Sequence, residues 1–219
     1  MMMSAEKLIQ KGVFAFSLMT ILFCAAFSGC KADEDITKEP VAGELLRIAR
    51  ESLQDSIVFY ARAMMGTVNK TLLEQGCPVK YHFKWRSEDT LNMQIHNFTV
   101  GKMPVVISFS INLKFMQLNT WEKNEYLGSD WIKFQGSKGI SVVNANTDEY
   151  EDGGGGSGTV TGYFNAETKE MEFVTSFNVM NFSTDVYLQK IDYSRMATYD
   201  EDFRQYEEDL AKYKEEHGL

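Results

Sequence analysis

The fold class is indicated most directly by the stretch Val105-Val106-Ile107-Ser108-Phe109-Ser110-Ile111-Asn112-Leu113-Lys114-Phe115. Its large apolar side chains stand at every second position, and from Ser108 to Lys114 the positions between them are polar. A strand places successive side chains on opposite faces, whereas a helix repeats about every 3.6 residues. The stretch therefore predicts one long strand with an apolar face and a solvated face.

The same alternation occurs on both sides of this strand. Residues 80–86 and 91–96 alternate apolar with polar side chains, and a short turn separates them. Period-two segments joined by short turns predict an antiparallel sheet with one buried face. The segment 119–138 is rich in Trp, Gly and charge and is predicted to be an irregular connection. Further strands are predicted at 140–143, 159–165, 171–179 and 184–193, the second and third forming a hairpin across 166–169.

Helices are predicted at both ends of this β-rich region. Between residues 44 and 64 the apolar side chains recur at threes and fours, which favours a helix. The alternative is a strand that starts at residues 57–63, because Ile-Val-Phe-Tyr is prone to β structure. Residues 67–75 are predicted to add a short helix that ends at Gly76. From Tyr199 onward an acidic helix is predicted, with an apolar stripe of Phe203, Tyr206, Leu210 and Tyr213.

The first 30 residues have the organisation of an export signal. Lys7 and Lys11 precede an uncharged run of 15 residues, 13–27, which is shorter than the roughly 20 residues of a membrane-spanning helix. Ser28 and Gly29 are small and lead to Cys30, whose thiol can accept an acyl group. We expect a signal peptide at 1–29, a lipidated tether at 30–40 and a single domain at 41–219. The alternative is an ordinary secretory signal cut after Ser28.

Charge and cysteine content exclude some classes of protein. The formal net charge is −9, and an acidic chain repels phosphate backbones, so nucleic acid is not an expected partner. Of the three cysteines, Cys24 leaves with the signal and Cys30 is expected to be acylated. Cys77 alone remains, so the domain is predicted to have no internal disulfide, and its stability must come from the hydrophobic core.

Two short motifs near the N-terminus resemble bacterial lipoprotein signals. Phe27-Ser28-Gly29-Cys30 resembles the lipobox, although Phe27 stands where leucine is usual. The following Lys31-Ala32-Asp33-Glu34-Asp35 resembles the acidic export signal of surface lipoproteins of the Bacteroidetes. The resemblance implies a protein that is lipid-anchored in the outer membrane through Cys30 and exposed at the cell surface. A flexible acidic tether on the periplasmic side is the alternative.

A second resemblance covers about residues 78–193. It rests on the segment 91–101, on Met103-Pro104 with the long strand that follows, and on 158–164 with a strand that ends near Asn181-Phe182. These segments resemble calycin-like, β-rich lipoproteins of unknown function in the Bacteroidetes. The resemblance implies a curved antiparallel sheet or a barrel and no known reaction. The expected fold is therefore α+β, with an N-terminal helix packed on a curved, calycin-like antiparallel sheet and an acidic C-terminal helix.

No residue set in the domain matches a known catalytic or metal-binding pattern. His82 and His96 lie on the polar faces of two strands that could pair, but two imidazoles without a further ligand make a weak metal site. Cys77 has no accompanying base, and a small buried residue is the simpler interpretation. The run 153–156 is all glycine but lacks the sequence around a phosphate-binding loop. An irregular calcium site remains open at Asn144, Asn146, Asp148 and Asp152, against an ordinary hairpin tip.

The polar face of the first alternating strand carries a row of basic side chains. Lys80, His82, Lys84 and Arg86 could bind an anionic sugar or headgroup, although such a row is commonly only a solvated face. We expect a non-catalytic binding or accessory module at the cell surface, with a glycan, protein or lipid ligand and no cofactor or metal. The alternative function is a carrier of a lipid or other apolar small molecule in a calycin-like cavity.

Overall fold

Nine strands and three helices make up the part of the chain that the structure, a computed structural model, describes: residues 43–143, 157–179 and 181–219. The helices are α1 (Gly43–Ser52), α2 (Glu122–Glu125) and α3 (Arg195–Glu216). The strands are β1 (Asp55–Met65), β2 (Val68–Asn69), β3 (Cys77–Trp85), β4 (Thr90–Phe98), β5 (Ile107–Met116), β6 (Trp131–Val143), β7 (Gly158–Asn165), β8 (Glu170–Ser176) and β9 (Phe182–Lys190).

Eight of the strands form a closed antiparallel barrel. Neighbours along the chain pair in the order β1-β3-β4-β5-β6-β7-β8-β9, and β9 returns to β1 from Ala61 opposite Val186 to Met65 opposite Phe182. The two-residue strand β2 only extends the end of β1. Closure settles a point that the sequence left open, and an eight-stranded barrel is consistent with the predicted calycin-like architecture.

The interior of the barrel is filled with aromatic rings. The predicted long strand forms as β5, and its side chains Ile107, Phe109, Ile111 and Leu113 are at most 3% exposed. Phe173 on β8 packs against rings from three other strands: it is edge-on to Phe59 at 5.5 Å and Tyr81 at 5.0 Å between centroids, and tilted against Phe134 at 6.1 Å. Each such side chain contributes about 1.5–3 kcal/mol when it is removed from water.

The expected helix over residues 44–64 is wrong beyond its first half. Helix α1 ends at Ser52, and the chain turns at Asp55, which has a left-handed φ of 56°, into the strand β1. In β1 the buried side chains Ile57, Phe59, Ala61 and Ala63 face the interior at alternate positions. The alternative strand interpretation of residues 57–63 is therefore correct, because β-branched and aromatic residues pack well on a pleated surface.

Two other segments also differ from the expectation. Residues 67–75 form β2 and turns instead of a helix, and the Thr71 hydroxyl accepts the backbone N–H of Ala63 at 2.7 Å. The segment 119–138 contains α2 and then the first half of β6, which begins at Trp131. Polar residues dominate the outer face of this half of β6, and Ile132 and Phe134 are fully buried on the inner face. The inner face then continues with Gly136 instead of a third apolar side chain, so the alternation is hard to recognise in the sequence. The predicted hairpin is present as β7 and β8.

The helices occupy different sides of the barrel. Helix α1 lies at the end where β3 and β9 finish: the Trp85 indole donates to the Leu53 carbonyl at 2.8 Å, and the Tyr193 hydroxyl donates to the Ser52 carbonyl at 2.7 Å. The acidic helix α3 packs on the outer side of β1 and β3, with Tyr206 and Leu210 buried. None of the described helices is both long and apolar enough to cross a membrane.

Candidate functional site

A cleft of about 450 Å³ lies on the outside of the barrel, between α3 and the strands β3 and β4. Its floor is formed by β3 and β4, whose side chains Lys80, His82 and His96 face outward. Its wall consists of two aromatic residues from the N-terminal half of α3. The lining residues are Pro78, Val79, Lys80, His82, Ile95, His96, Asn97, Phe98, Thr99, Val100, Tyr199 and Phe203. We refer to it below as the outer cleft.

Two imidazole rings meet in this cleft. His82 on β3 and His96 on β4 have centroids 4.6 Å apart at an interplanar angle of 69°. The approach that the strand pattern suggested is therefore real. Within the described residues, no group of three or more His, Cys, Asp and Glu side chains is placed to hold a metal ion. Two imidazoles alone make a weak metal site.

The orientation of His82 is set by a serine from the neighbouring strand. The Ser56 hydroxyl lies 2.7 Å from the Nδ1 atom of His82, because Ser56 on β1 is directly opposite His82 in the β1–β3 ladder. Ser56 was not predicted as part of a site, because helical spacing was expected across this segment. The alternation of apolar side chains from Ile57 to Ala63 was the signal that could have placed Ser56 on the outer face.

The far wall of the outer cleft is aromatic and touches a cation. The Lys80 ammonium lies 4.2 Å from the centroid of the Tyr199 ring, a cation–π contact, and Phe203 stacks on Tyr199 at 5.9 Å. Burial raises the pKa of Tyr199 above its ordinary value, so its hydroxyl stays neutral at physiological pH. The cleft thus offers ring faces, imidazoles and an ammonium group side by side.

The row of basic residues predicted on β3 is divided by the structure. Lys80 and His82 line the outer cleft, whereas Lys84 lines a separate cleft of about 310 Å³ near Arg50 and Trp85. Arg86 lies just beyond the end of β3 and is exposed. The four side chains therefore do not act as one continuous basic surface.

Cys77 is a buried structural residue, as expected. It begins β3, is fully buried, and its thiol donates a weak hydrogen bond to the Ala61 carbonyl at 3.5 Å. Burial raises the pKa of the thiol, which keeps it protonated and unreactive. Cys77 is free, so among the described residues it forms no disulfide.

Several residues named from the sequence lie outside the described residues. They are the predicted lipidation site Cys30, the acidic segment 31–35, and the four side chains of the open calcium interpretation, Asn144, Asn146, Asp148 and Asp152. The glycine run at 153–156 is also outside them.

Comparison with known proteins places the chain in a family without assigning a reaction. Neither the curated proteins nor the solved structures contain a match to the chain. One family model does match, described as a domain of unknown function (DUF4903), and the match covers residues 30–218 of the 219. The chain therefore belongs to the DUF4903 family.

Proposed function

We propose that the protein is a non-catalytic binding module, lipid-anchored through Cys30 and exposed at the outer surface of a bacterial outer membrane, that holds an acidic glycan in the outer cleft. The observation that carries this proposal is the contrast between the two sides of the barrel wall. The interior is filled by packed rings, while the cleft outside it is lined by Lys80, His82, His96 and Tyr199.

The filled interior weighs against a carrier of an apolar molecule. Such a carrier needs an enclosed apolar space of several hundred cubic ångströms. Here Phe173 contacts rings from β1, β3 and β6, and Phe109 packs on Phe177 with a centroid distance of 5.3 Å. An apolar ligand inside would have to displace several of these side chains.

The chemistry of the outer cleft favours a sugar that carries a carboxylate. Small-molecule sites combine apolar surface with a few polar groups that fix orientation. The Tyr199 and Phe203 rings offer surface to the C–H face of a saccharide, and the Lys80 ammonium and the two imidazoles can hydrogen-bond to a carboxylate or a hydroxyl. A uronic-acid oligosaccharide presents both kinds of group.

Anchoring at the membrane is supported by the sequence. A basic start, an apolar run of 15 residues and the small pair Ser28-Gly29 lead to Cys30. The region matched by the family begins at residue 30, where the predicted signal ends. Acylation with several chains would hold the protein firmly, since each buried methylene contributes about 0.8 kcal/mol.

The ligand proposal is tested by titrating the full chain with oligogalacturonides and, separately, with neutral oligosaccharides of the same length, while NMR follows the imidazole signals. We expect the acidic sugar to shift the signals of His82 and His96. Replacing Lys80 by alanine should weaken its binding tenfold or more, because a charge-assisted hydrogen bond contributes about 1.5–3 kcal/mol.

The matched control is Lys84→Ala, which removes the same charge from the same face of the same strand but outside the outer cleft. This variant should bind like the wild type. Equal losses in the two lysine variants, shifts confined to residues outside the cleft, or equal binding of neutral and acidic sugars would each refute the proposed ligand class.

A further inference from the structure

The loop between β5 and β6 carries the two most exposed large apolar side chains of the described residues. Trp121 is 84% exposed and Leu127 is 76% exposed. Both belong to the connection 117–130, which contains α2. Exposed single apolar residues are common on proteins, but an indole this exposed has almost none of its surface removed from water.

Reciprocal hydrogen bonds fix the conformation of this loop. The side-chain oxygen of Asn119 accepts the backbone N–H groups of Trp121 and Glu122, both at 2.9 Å. The Glu122 carboxylate in turn accepts the backbone N–H of Asn119 at 2.9 Å. This is the capping-box arrangement, in which two side chains satisfy each other's free backbone donors. The backbone at Trp121 is therefore held in one conformation.

The loop is also braced against the barrel wall. The Glu122 carboxylate accepts hydrogen bonds from the Lys133 ammonium at 2.6 Å and the Tyr163 hydroxyl at 2.9 Å. The Glu122 and Lys133 side chains are only 12% and 13% exposed. Tyr126 stacks on Tyr163 with centroids 4.0 Å apart and donates to the Glu172 carboxylate. The bracing ties the loop to β6, β7 and β8, so Trp121 projects from a rigid base.

The exposed pair and the start of the domain share one end of the barrel. Strand β5 ends and β6 begins at the same end where β1 begins and α1 lies. Gly43, the first residue of α1, follows Cys30 by 13 residues. A fully extended chain of that length spans at most about 45 Å. A lipid on Cys30 would therefore leave this end of the barrel within reach of the bilayer.

We infer that Trp121 and Leu127 insert into the lipid surface to which Cys30 is tethered, and that they set the orientation of the barrel on the membrane. The inference rests on the lipid anchor of the proposed function. Trp is favoured at the boundary between lipid and water, where its ring is buried and its N–H remains hydrated. A lipid chain combined with a second membrane contact holds a protein more firmly than either alone.

This orientation has a consequence for the outer cleft. The cleft is lined by Pro78 and Val79 at the start of β3 and by residues 97–100 at the end of β4, which belong to the opposite end of the barrel. With the Trp121 end on the bilayer, the cleft faces away from the lipid and toward ligands in solution. The hydrogen bonds that fix the loop would thus help to keep the domain oriented with its outer cleft away from the bilayer.

The test uses the full-length acylated protein on phosphatidylcholine vesicles that carry a small fraction of lipid spin-labelled near the headgroup. The chain has three tryptophans, of which Trp85 and Trp131 are partly buried, so the response to lipid comes mainly from Trp121. We expect a blue shift of the emission and quenching by the labelled lipid. Trp121→Phe should abolish most of the quenching, and Leu127→Ser should reduce it at least twofold.

The matched control is Val68→Ser, which removes an apolar side chain that is 52% exposed on β2, at the opposite end of the barrel from the loop. It should leave the quenching unchanged. If the acylated protein sediments with vesicles but its emission is unshifted and unquenched, the inference is refuted while the anchor stands. If it does not sediment with vesicles, the anchor itself fails, and the inference fails with it.

Two further outcomes would assign the exposed pair to another partner and so overturn the inference. A blue shift that grows with protein concentration without vesicles would indicate a second copy of the chain. A change in Trp121 emission caused by a neutral oligosaccharide and not by lipid would indicate a glycan on the ring face. Trp121→Phe distinguishes both effects from changes at Trp85 or Trp131.

Discussion

At the scale of single residues, the barrel interior depends on glycines that make room for rings. A Cβ atom on Gly162 of β7 would lie 2.3 Å from Cζ of Phe134 and 2.4 Å from Cβ of Phe173. A Cβ atom on Gly139 of β6 would lie 2.5 Å from Cζ of Phe109. These separations are far below van der Waals contact, so the absence of a side chain at these positions is what allows the rings to fill the interior.

We therefore expect Gly162→Ala to destabilise the protein. The added methyl group must push Phe134 and Phe173 out of their places, and overpacking of this kind costs about 1–3 kcal/mol. The free energy of unfolding, measured by urea denaturation, should fall by that amount. Gly43→Ala is the control, since no atom lies within 4 Å of its Cβ position. A Gly162 variant as stable as the control would show that the interior has free space.

Some residue-level predictions followed directly from chemistry. Burial of Cys77 was predictable because nothing in the sequence offered it a base or a metal partner, and the structure shows it fully buried. The contact of His82 with His96 followed from their positions on the polar faces of adjacent strands. For Tyr199 and Phe203 the sequence predicted a helix but not the strands against which they pack. The surface that a helix covers depends on contacts that are distant in sequence.

At the scale of elements, the chain between residues 43 and 65 shows the limit of predicting secondary structure from the local sequence pattern. Helical spacing and strand alternation overlap there, since Leu53 and Ile57 suit both periods. The choice is made by tertiary contacts: β1 pairs with β3 on one side and β9 on the other, and neither partner is visible from within the segment. The unaided pattern correctly gave β3, β4, β5 and the β7–β8 hairpin, where alternation is unbroken.

The hydrogen bonds of Glu122 in the loop between β5 and β6 should contribute to the stability of the protein. Glu122→Gln should lower the free energy of unfolding at pH 7 by about 2 kcal/mol, because the hydrogen bonds from Lys133 and Tyr163 lose their charged acceptor. Glu125→Gln is the control, because Glu125 lies on the same helix turn but is exposed. Equal losses in the two variants, measured by chemical denaturation, would contradict the bracing role.

The stability difference between the wild type and Glu122→Gln should also depend on pH. Burial raises the pKa of Glu122, but hydrogen bonds from Lys133, Asn119 and Tyr163 outweigh it, so the pKa in the folded protein lies below the ordinary value. The stabilisation is therefore complete above the unfolded pKa, about 4.3, and is lost as the pH falls through the lower folded pKa. The stability difference between wild type and Glu122→Gln should shrink as the pH falls below about 4. A difference independent of pH would contradict this.

At the scale of the whole molecule, closure of the barrel could not be predicted from the sequence. The alternation of apolar and polar residues predicts which face of a strand is buried. Closing the sheet depends instead on the register of β1 with β9, whose paired residues Ala61 and Val186 are far apart along the chain. The interior volume also depends on all eight strands together. The distinction between a filled barrel and a ligand cavity could therefore be drawn only from the assembled structure.

Placement at a membrane is the whole-molecule claim on which the proposed role and the orientation by Trp121 both depend. The most direct measurement is incorporation of radiolabelled palmitate into the full chain in a bacterial host, with Cys30→Ser as the variant and Cys77→Ser as the control for thiol loss. Label in the wild type and in the Cys77 variant, but not in the Cys30 variant, is the predicted result. No label in the wild type, or equal label after replacement of Cys30, would contradict the lipid anchor.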